Sequence, residues 1–323
     1  GMDIAEKRRP QDGRFITKAG NREIDMRIST LPTMLGEKVE IRLLDKGAML
    51  TDLEDLSPSN DSIETLNSLI KRPYGMILIT GPTGSGKSST IYALLGQLDA
   101  VAKNIVTVED PVEYQVKRIN QVQVNPKAGL TFADALRHIL RQDPNVIMIG
   151  EIRDRETAEI AVHAALTGHL VFTTLHTTDA AGAVSRLIDM GVEPFLVSSA
   201  VIGIASQRLV RKICPDCKKS YSPDEAILEE LDLPKTTLFY RGEGCKACKN
   251  EGYRGRTAII EVLRMGEALR KLTLEKVDSV TIRMQMKEMG FPSLRVEGIK
   301  AVVAGVTTFE EVIRATQEIV DME

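Results

Sequence analysis

The chain has 323 residues, of which 43% are hydrophobic and 27% are charged, and a chain of this length is expected to form two or three domains. Its net charge is −3 at pH 7, and aromatic residues make up only 4%. These values argue against a nucleic-acid-binding protein, because such surfaces carry basic and aromatic residues in excess. No apolar stretch approaches the roughly 20 residues of a membrane span, and no secretory signal opens the chain. We therefore expect any membrane association to occur through a partner protein.

Two segments near the N-terminus alternate apolar and polar residues, as half-buried strands do. They are Arg22–Thr30 and Glu37–Asp45. We interpret residues 1–50 as the end of a small α/β domain. The polar, proline-containing segment after them predicts a linker over 51–60, followed by a helix from about Asp61 to Lys71.

Apolar strand-like runs alternate with helix-like stretches in the middle of the chain. The runs are Met76–Thr80, Asn104–Glu109, Val146–Gly150 and Leu170–Thr174. The helix-like stretches are Ser88–Leu98, Phe132–Arg141, Arg155–Leu166 and Ala180–Met190. This alternation predicts an α/β fold with a mainly parallel sheet flanked by helices.

A glycine-rich segment follows the first of these runs and completes the pattern G-x-x-x-x-G-K-[S/T]. Its residues are Gly81, Pro82, Thr83, Gly84, Ser85, Gly86, Lys87, Ser88 and Ser89. Glycines let backbone N–H groups turn around phosphates, and the N-terminus of the next helix favours anions. We predict that Lys87 contacts the β- and γ-phosphates of ATP and that Ser88 ligates Mg²⁺. A plain glycine turn is the alternative, and the strand before it and the helix after it favour the nucleotide site.

Carboxylates follow two other strand-like runs. Glu151 ends an apolar run at the place where an Asp usually organises Mg²⁺ or the attacking water. Glu109, Asp110 and Glu113 crowd into one short segment, where they would repel one another without a nearby cation. A solvated turn at Asp110 is the alternative for this segment.

Two histidines, His169 and His176, flank the run at 170–174. A single histidine in such a place is more often a structural hydrogen-bonding group than a catalyst. Their position after a core strand of the nucleotide fold raises the alternative of a γ-phosphate sensor.

All four cysteines occur in two C-x-x-C pairs, which are Cys214 with Cys217 and Cys245 with Cys248. Two such pairs predict a closed tetrahedral zinc site without an open coordination position. Disulfides are disfavoured because nothing indicates export, and a redox site needs only one pair. We expect residues 211–256, a segment poor in apolar residues, to be a zinc-binding insertion held together by Zn²⁺.

Taken in chain order, these motifs resemble those of the GspE/PilB family of secretion ATPases. The resemblance includes the phosphate loop, an Asp box at Thr107–Tyr114, a Walker B segment at Gly150–Asp154, a His box at Gly168–Thr178, the segments Ala205–Arg211 and Gly252–Arg256, and the cysteine pairs. It covers essentially the whole chain.

The resemblance implies a RecA-like ATPase core over 61–210, preceded by the end of a PAS-like domain and followed by a C-terminal helical subdomain over 257–323. It further implies a homohexamer on the cytoplasmic side of the inner membrane. There the motor would act on the cytoplasmic domains of a platform that assembles a pseudopilus or pilus. Gly1 before Met2 resembles a tag-cleavage remnant, and full-length relatives carry a further N-terminal domain.

The resemblance also implies roles for individual residues. Either Glu113 or Glu109 would orient the attacking water, and His169 and His176 would report on the γ-phosphate. Arg27 and Arg42 resemble arginines that swing from the preceding domain onto the nucleotide, with an exposed strand face as the alternative. Residues 52–60 are then the candidate hinge.

Shorter sequence segments indicate the branch of the family to which the chain is expected to belong. The cysteine pairs favour assembly or secretion motors over retraction motors. The segments Gln123–Pro126 and Leu140–Pro144 favour type II secretion, with type IV pilus extension as the alternative. Two other classes stay open: a hexameric nucleic-acid translocase and a nucleotide-binding scaffold without turnover.

Overall fold

The computed structural model describes residues 2–20, 22–45 and 52–320. The chain divides into two compact units, Gly1–Leu50 and Thr51–Glu323.

The first unit is an antiparallel sheet of three strands in the order β1-β2-β3. They are β1 (Gln11–Ala19), β2 (Arg22–Thr33) and β3 (Gly36–Asp45). Both predicted strands are confirmed, and β1 was not predicted. The register places Met26 opposite Phe15 and Leu43 on an apolar face, which leaves Leu43 64% exposed. Within 2–20 and 22–45 the chain forms strands and turns, and its place at the end of a larger α/β domain stays a prediction.

The second unit contains a seven-stranded sheet in the order β12-β9-β4-β8-β7-β5-β6. Neighbouring strands are parallel except for β12 and β9, which are antiparallel. The strands are β4 (Gly75–Thr80), β5 (Ile105–Glu109), β6 (Asn120–Gln123), β7 (Val146–Ile149), β8 (Leu170–Leu175), β9 (Val201–Ile213) and β12 (Tyr253–Arg264). A separate hairpin pairs β10 (Lys218–Tyr221) with β11 (Phe239–Gly242). The predicted parallel sheet is therefore confirmed, with β6, β9 and β12 as additions.

Helices pack around this sheet. They are α1 (Leu53–Leu56), α2 (Asn60–Ile70), α3 (Lys87–Gly96), α4 (Phe132–Ile139), α5 (Arg155–Leu166), α6 (Ala180–Asp189), α7 (Pro194–Ala200), α8 (Glu225–Glu230), α9 (Glu267–Leu274), α10 (Ser279–Glu288), α11 (Leu294–Val303) and α12 (Phe309–Val320). The predicted helices correspond to α2, α3, α4, α5 and α6. No helix in the described part of the chain is long and apolar enough to cross a membrane.

Side-chain caps determine where two of the helices beside the candidate site begin. The carboxylate of Asp154 accepts a hydrogen bond from the Thr157 N–H at 2.8 Å, and that of Asp179 accepts one from the Gly182 N–H at 2.7 Å. Such caps satisfy backbone donors that have no partner within the helix. They hold the turns between β7 and α5 and between β8 and α6, where functional residues lie.

The linker expected over 51–60 is wrong for much of its length. Leu53 and Leu56 are buried in α1, and the Thr257 hydroxyl donates to the Leu56 carbonyl at 3.1 Å. The polar composition of the segment concealed two leucines that belong to the core of the second unit. Residues 46–51 lie outside the described residues.

The helical subdomain expected from residue 257 begins later than predicted. Residues up to Arg264 belong to β12, whose buried side chains include Ile259, Ile260 and Val262. A strand buried on both faces shows no polar alternation, so its sequence pattern does not distinguish it from a helix. Helices α9 to α12 follow this strand.

The cysteine-bearing insertion packs on the C-terminal helices. Phe239 and Leu228 of the insertion are buried against Val302 and Val312. The few apolar residues of this segment are therefore buried, because the helices supply the other half of the cluster.

Glu261 of β12 is a buried carboxylate that joins the first residues of two helices. It accepts hydrogen bonds from the N–H groups of Ala180 in α6 and Leu294 in α11 at 2.8 and 2.9 Å. Burial, together with the nearby charge of Asp179, raises the pKa of Glu261 to about 7 against the opposing effect of these donors. The folded state therefore disfavours ionisation of this group.

This raised pKa predicts a pH dependence of stability. The contribution of Glu261 is complete below the usual pKa of a glutamate, about 4.5, and is lost as the pH rises through about 7. Between pH 4.5 and pH 8 we expect Glu261→Gln to reduce the fall in unfolding free energy by an amount on the order of 3 kcal/mol. Urea unfolding of both proteins at the two pH values measures this difference, and parallel pH profiles would contradict it.

Candidate active site

The phosphate loop connects β4 to α3 through glycines in the left-handed region. Gly81 has φ 144° and Gly86, which caps α3, has φ 89°. A Cβ at Gly81 would lie 2.5 Å from the Gln207 carbonyl oxygen. The loop therefore requires glycine here both for its backbone conformation and for its close approach to β9.

Lys87 begins α3 and is only 9% exposed. Its ammonium group donates to the carbonyl oxygens of Gly81 and Pro82 at 2.7 and 3.1 Å. Burial lowers the pKa of Lys87 to about 8, while the charge of Glu151 opposes this and that of Arg208 adds to it. The lysine is thus a buried cation at the N-terminus of a helix, as expected for phosphate binding.

Glu151 and His176 lie beside this lysine. The Nδ1 atom of His176 is 3.5 Å from the Lys87 ammonium, and its Nε2 atom is 3.4 Å from a Glu151 oxygen. The other Glu151 oxygen is 2.6 Å from the Arg153 guanidinium. The turns after β4, β7 and β8 therefore bring Lys87, Glu151 and His176 together.

His169 lies elsewhere. His169 precedes β8, whereas His176 follows it. The six residues of this strand place the two histidines about 20 Å apart. The Nδ1 atom of His169 is 2.9 Å from the Ala164 carbonyl oxygen. The structure does not bring His169 to the phosphate loop, contrary to the prediction for this residue.

The two candidate glutamates of the acidic segment have different surroundings. Glu109 is buried and accepts hydrogen bonds from the hydroxyls of Tyr92 and Thr107 and from the Gln121 amide. Its oxygens are occupied by protein donors, as in a structural carboxylate. Glu113 is partly exposed in the loop after β5, and its role in orienting water stays a prediction.

The predicted magnesium ligand Ser88 is exposed in the first turn of α3. Hydroxyl and carboxylate oxygens suit Mg²⁺, so Ser88 fits the role, with Glu151 as the acidic group of the same site. Pro82, Thr83 and Gly84 form the exposed tip of the loop, while Ser85 is buried and Ser89 is exposed.

Two polar residues of β9 that sequence reasoning left without a role contact the site. Gln207 bonds to the phosphate loop and to α3. Arg208 donates to the Thr178 carbonyl at 2.9 Å, in the segment that follows His176. A Ser-Gln-Arg triplet between apolar residues of the strand was the available signal, because buried polar side chains require partners.

In the first unit, Arg27 and Arg42 lie directly opposite each other on β2 and β3, and Arg14 of β1 is opposite Arg27. Arg42 pairs with Glu40 at 3.2 Å, and Arg14 pairs with Asp25 at 2.5 Å. The sequence did not point to Arg14, because its place beside the other arginines depends on the strand register. The approach of Arg27 and Arg42 to a nucleotide stays a prediction.

The four cysteines form a compact cluster whose sulfur atoms all lie within 4.8 Å of one another. The Sγ–Sγ distances are 3.8 Å for Cys214 and Cys245, 3.9 Å for Cys217 and Cys248, and 3.7 Å for Cys245 and Cys248. Tetrahedral coordination with Zn–S bonds of about 2.3 Å requires sulfur separations of about 3.8 Å. The cluster therefore fits a closed tetrahedral metal site.

Backbone donors support this arrangement. The N–H groups of Cys245 and Gly252 donate to the Cys248 sulfur at 3.2 and 3.3 Å. Burial raises the pKa of the Cys214 and Cys217 thiols, whereas at Cys248 these bonds overcome burial and lower the pKa of the thiol. They favour the thiolate, which is the form that ligates metal.

Comparison with known proteins agrees with this geometry. The family model described as "Type II/IV secretion system protein" matches residues 1–314. The chain belongs to this family. Type II secretion system ATPase E of Vibrio cholerae is 50% identical over 319 residues, which are 98% of this chain and 63% of that protein. Type IV pilus assembly ATPase PilB of Thermus thermophilus is 49% identical over 322 residues, 98% of this chain and 36% of that protein.

Among solved structures, that of the pilus retraction motor PilT with bound ADP is similar to this chain. The TM-score is 0.68 and the identity 29%, with 95% of this chain and 78% of that chain covered. The predicted P-loop ATPase fold is confirmed by this likeness. The chain spans less than two thirds of the length of the Vibrio and Thermus relatives.

The cysteine cluster predicts that this protein contains bound metal when it is purified. We expect about one Zn²⁺ per chain, its loss in Cys245→Ser, and a lower melting temperature for that variant because the insertion loses its cross-link. Elemental analysis and thermal melting measure both effects. Lys246→Ala, an exposed neighbour within the same C-x-x-C pair, is the control that retains metal, and a Cys245→Ser protein with a full metal content would contradict the prediction.

Proposed function

We propose that this chain hydrolyses ATP at the phosphate loop and is the motor portion of a type II secretion ATPase. The observation that carries the proposal is the cluster of Lys87, Glu151 and His176 where three parallel strands end. Ligands of open α/β sheets bind at the carboxyl ends of the strands. The P-loop sequence then indicates a nucleoside triphosphate as the ligand.

The chain's residues have distinct tasks in this proposal. Backbone N–H groups of the loop and the Lys87 ammonium bind the β- and γ-phosphates, and Ser88 and Glu151 hold Mg²⁺. When bound, Mg²⁺ neutralises charge on the phosphate oxygens. Glu113 orients the attacking water, and Arg153 holds one oxygen of Glu151 in place.

His176 connects hydrolysis to movement. It lies between Lys87 and Glu151, so a group that binds between these residues must displace or engage the imidazole. Thr178, two residues on, is held by Arg208. A displacement of His176 can thus move Thr178 and helix α6, which follows it. In this proposal Arg27 and Arg42 also bind the phosphates, and loss of phosphate releases them.

The assembly that uses this cycle is proposed from the relatives. We propose a homohexamer that works from the cytoplasmic side on an inner-membrane secretion or pilus assembly platform, without nucleic acid. Identities of 50% to a type II secretion ATPase and 49% to a pilus assembly ATPase do not separate the two branches. The type II preference rests on the segments Gln123–Pro126 and Leu140–Pro144.

The first test measures Mg²⁺-dependent ATP turnover over a series of protein concentrations. We expect turnover per subunit to rise with concentration, because a ring completes its sites only on assembly. Lys87→Ala should lose nucleotide binding, and Glu151→Gln should keep binding but lower turnover by roughly 100-fold or more. Arg186→Ala in α6, outside the site, is the matched control.

The outcomes separate the competing functions. Binding without turnover at every concentration would favour a non-hydrolysing scaffold over this proposal. Turnover stimulated by single- or double-stranded DNA would favour a nucleic-acid translocase. Unchanged turnover in Glu151→Gln would remove Glu151 from the mechanism.

The two glutamates of the acidic segment provide a second test. Glu113→Gln should lower kcat by roughly 100-fold while nucleotide binding persists, since water orientation matters only in the chemical step. Glu109→Gln should mainly lower the melting temperature, because an amide keeps only one acceptor oxygen for the three donors that surround this carboxylate. Steady-state kinetics with thermal melting measures both, and a kcat loss confined to Glu109→Gln would reverse the assignment.

A further inference from the structure

Gln207 is a fully buried amide at the edge of the phosphate loop, with a relative exposure of 0%. It lies on β9, which pairs in parallel with β4 and places Ser206 opposite Thr80, the last residue before the loop. Gln207 is therefore beside the loop because of strand register rather than sequence proximity.

The two ends of this amide bond to two different parts of the phosphate-binding segment. Its Nε2 group donates to the Ser85 carbonyl at 2.6 Å, and its Oε1 atom accepts from the Thr90 hydroxyl at 2.7 Å. Thr90 is itself fully buried, in the first turn of α3. One side chain thus ties the loop to the helix on either side of Lys87.

The bond to Ser85 also determines the direction of a peptide group. The Ser85–Gly86 peptide is trans, and in a trans peptide the C=O and N–H point in opposite directions. Because the Ser85 carbonyl points to Gln207, the Gly86 N–H points away from it. A carbonyl turned toward the phosphates would repel them, whereas an N–H can donate to them.

The glycines of the loop match this contact. A Cβ at Gly86 would lie 3.1 Å from the Gln207 Nε2 atom, and one at Gly81 would lie 2.5 Å from the Gln207 carbonyl oxygen. The loop is packed against Gln207 at both glycines of the P-loop pattern, at Gly81 through the Gln207 backbone and at Gly86 through its side chain.

We propose that Gln207 is a positioning residue for phosphate binding, which orients the Ser85–Gly86 peptide and couples the loop to α3. The proposal rests on the nucleotide-binding function of the phosphate loop and extends it to β9. Gln207 does not touch the substrate and acts through the loop.

The test compares affinities for Mg²⁺·ADP, measured with a fluorescent ADP analogue, in the full chain. Gln207→Leu, which is similar in size but can neither donate nor accept, should raise the Kd roughly tenfold or more, because the Ser85 carbonyl loses its buried donor. Thr257→Val is the matched control, since it removes a buried hydrogen bond of the same sheet at Leu56, away from the loop. We expect it to lower the melting temperature without changing the Kd.

Further variants separate positioning from folding. Thr90→Ser retains the hydroxyl and should keep wild-type affinity, while Thr90→Val should weaken it. Gln207→Glu keeps the acceptor for Thr90 but loses the donor to Ser85, and should bind as weakly as Gln207→Leu. These variants decide the matter if Gln207→Leu does not fold.

A folded Gln207→Leu or Gln207→Glu protein with wild-type affinity would overturn the proposal, as would equal weakening in Thr257→Val. A wild-type chain that binds Mg²⁺·ADP without hydrolysing ATP would refute the proposed hydrolysis, yet the affinity comparison would still decide the role of Gln207. A wild-type chain that binds no Mg²⁺·ADP would overturn both.

Discussion

The charge of Lys87 is the constraint on which this site depends. A buried ammonium requires nearby acceptors and negative charge, and the carbonyls of Gly81 and Pro82 and the carboxylate of Glu151 supply them. These groups belong to the turns after β4 and β7, and His176 follows β8. The lysine is therefore compensated only when these strands run in parallel with their ends at one edge of the sheet. Strand order and site chemistry are two aspects of one arrangement.

Strand β9 connects this edge to the rest of the second unit. Gln207 points to the phosphate loop, while Ser206 and Arg208, on the opposite face, both contact the Thr178 carbonyl. The same strand leads directly to Cys214 of the metal cluster. Its neighbour β12 carries Glu261, which joins α6 to α11. Two adjacent strands thus link the nucleotide loop, the segment after His176, the metal cluster and the C-terminal helices.

Much of the fold and of the site was predictable, because short sequence patterns reflect the backbone conformation that those residues prefer. Apolar runs of strand length between helical stretches gave β4, β5, β7 and β8 in the correct order, since alternation of this kind favours a parallel sheet. The glycines and Lys87 identified the phosphate loop, and Glu151 was expected beside it. The spacing of two C-x-x-C pairs identified a metal site whose sulfur atoms the fold brings within 4.8 Å.

Residues that look alike in sequence were separated only by the tertiary structure. His169 and His176 flank one strand, but the length of β8 places them at opposite ends. Glu109 and Glu113 are the same residue type in one short segment, and the burial of Glu109 against Tyr92 distinguishes them. The sequence by itself determined β4, β5, β7 and β8, the helices α2 to α6, the phosphate loop and the cysteine pairs, because these depend on backbone preference and short spacing. The roles of Gln207, Arg208 and Glu261 depend on partners supplied by distant segments, such as Thr90, which lies 117 positions before Gln207. Only folding brings those partners together, because a buried polar group is satisfied by whatever the fold places beside it.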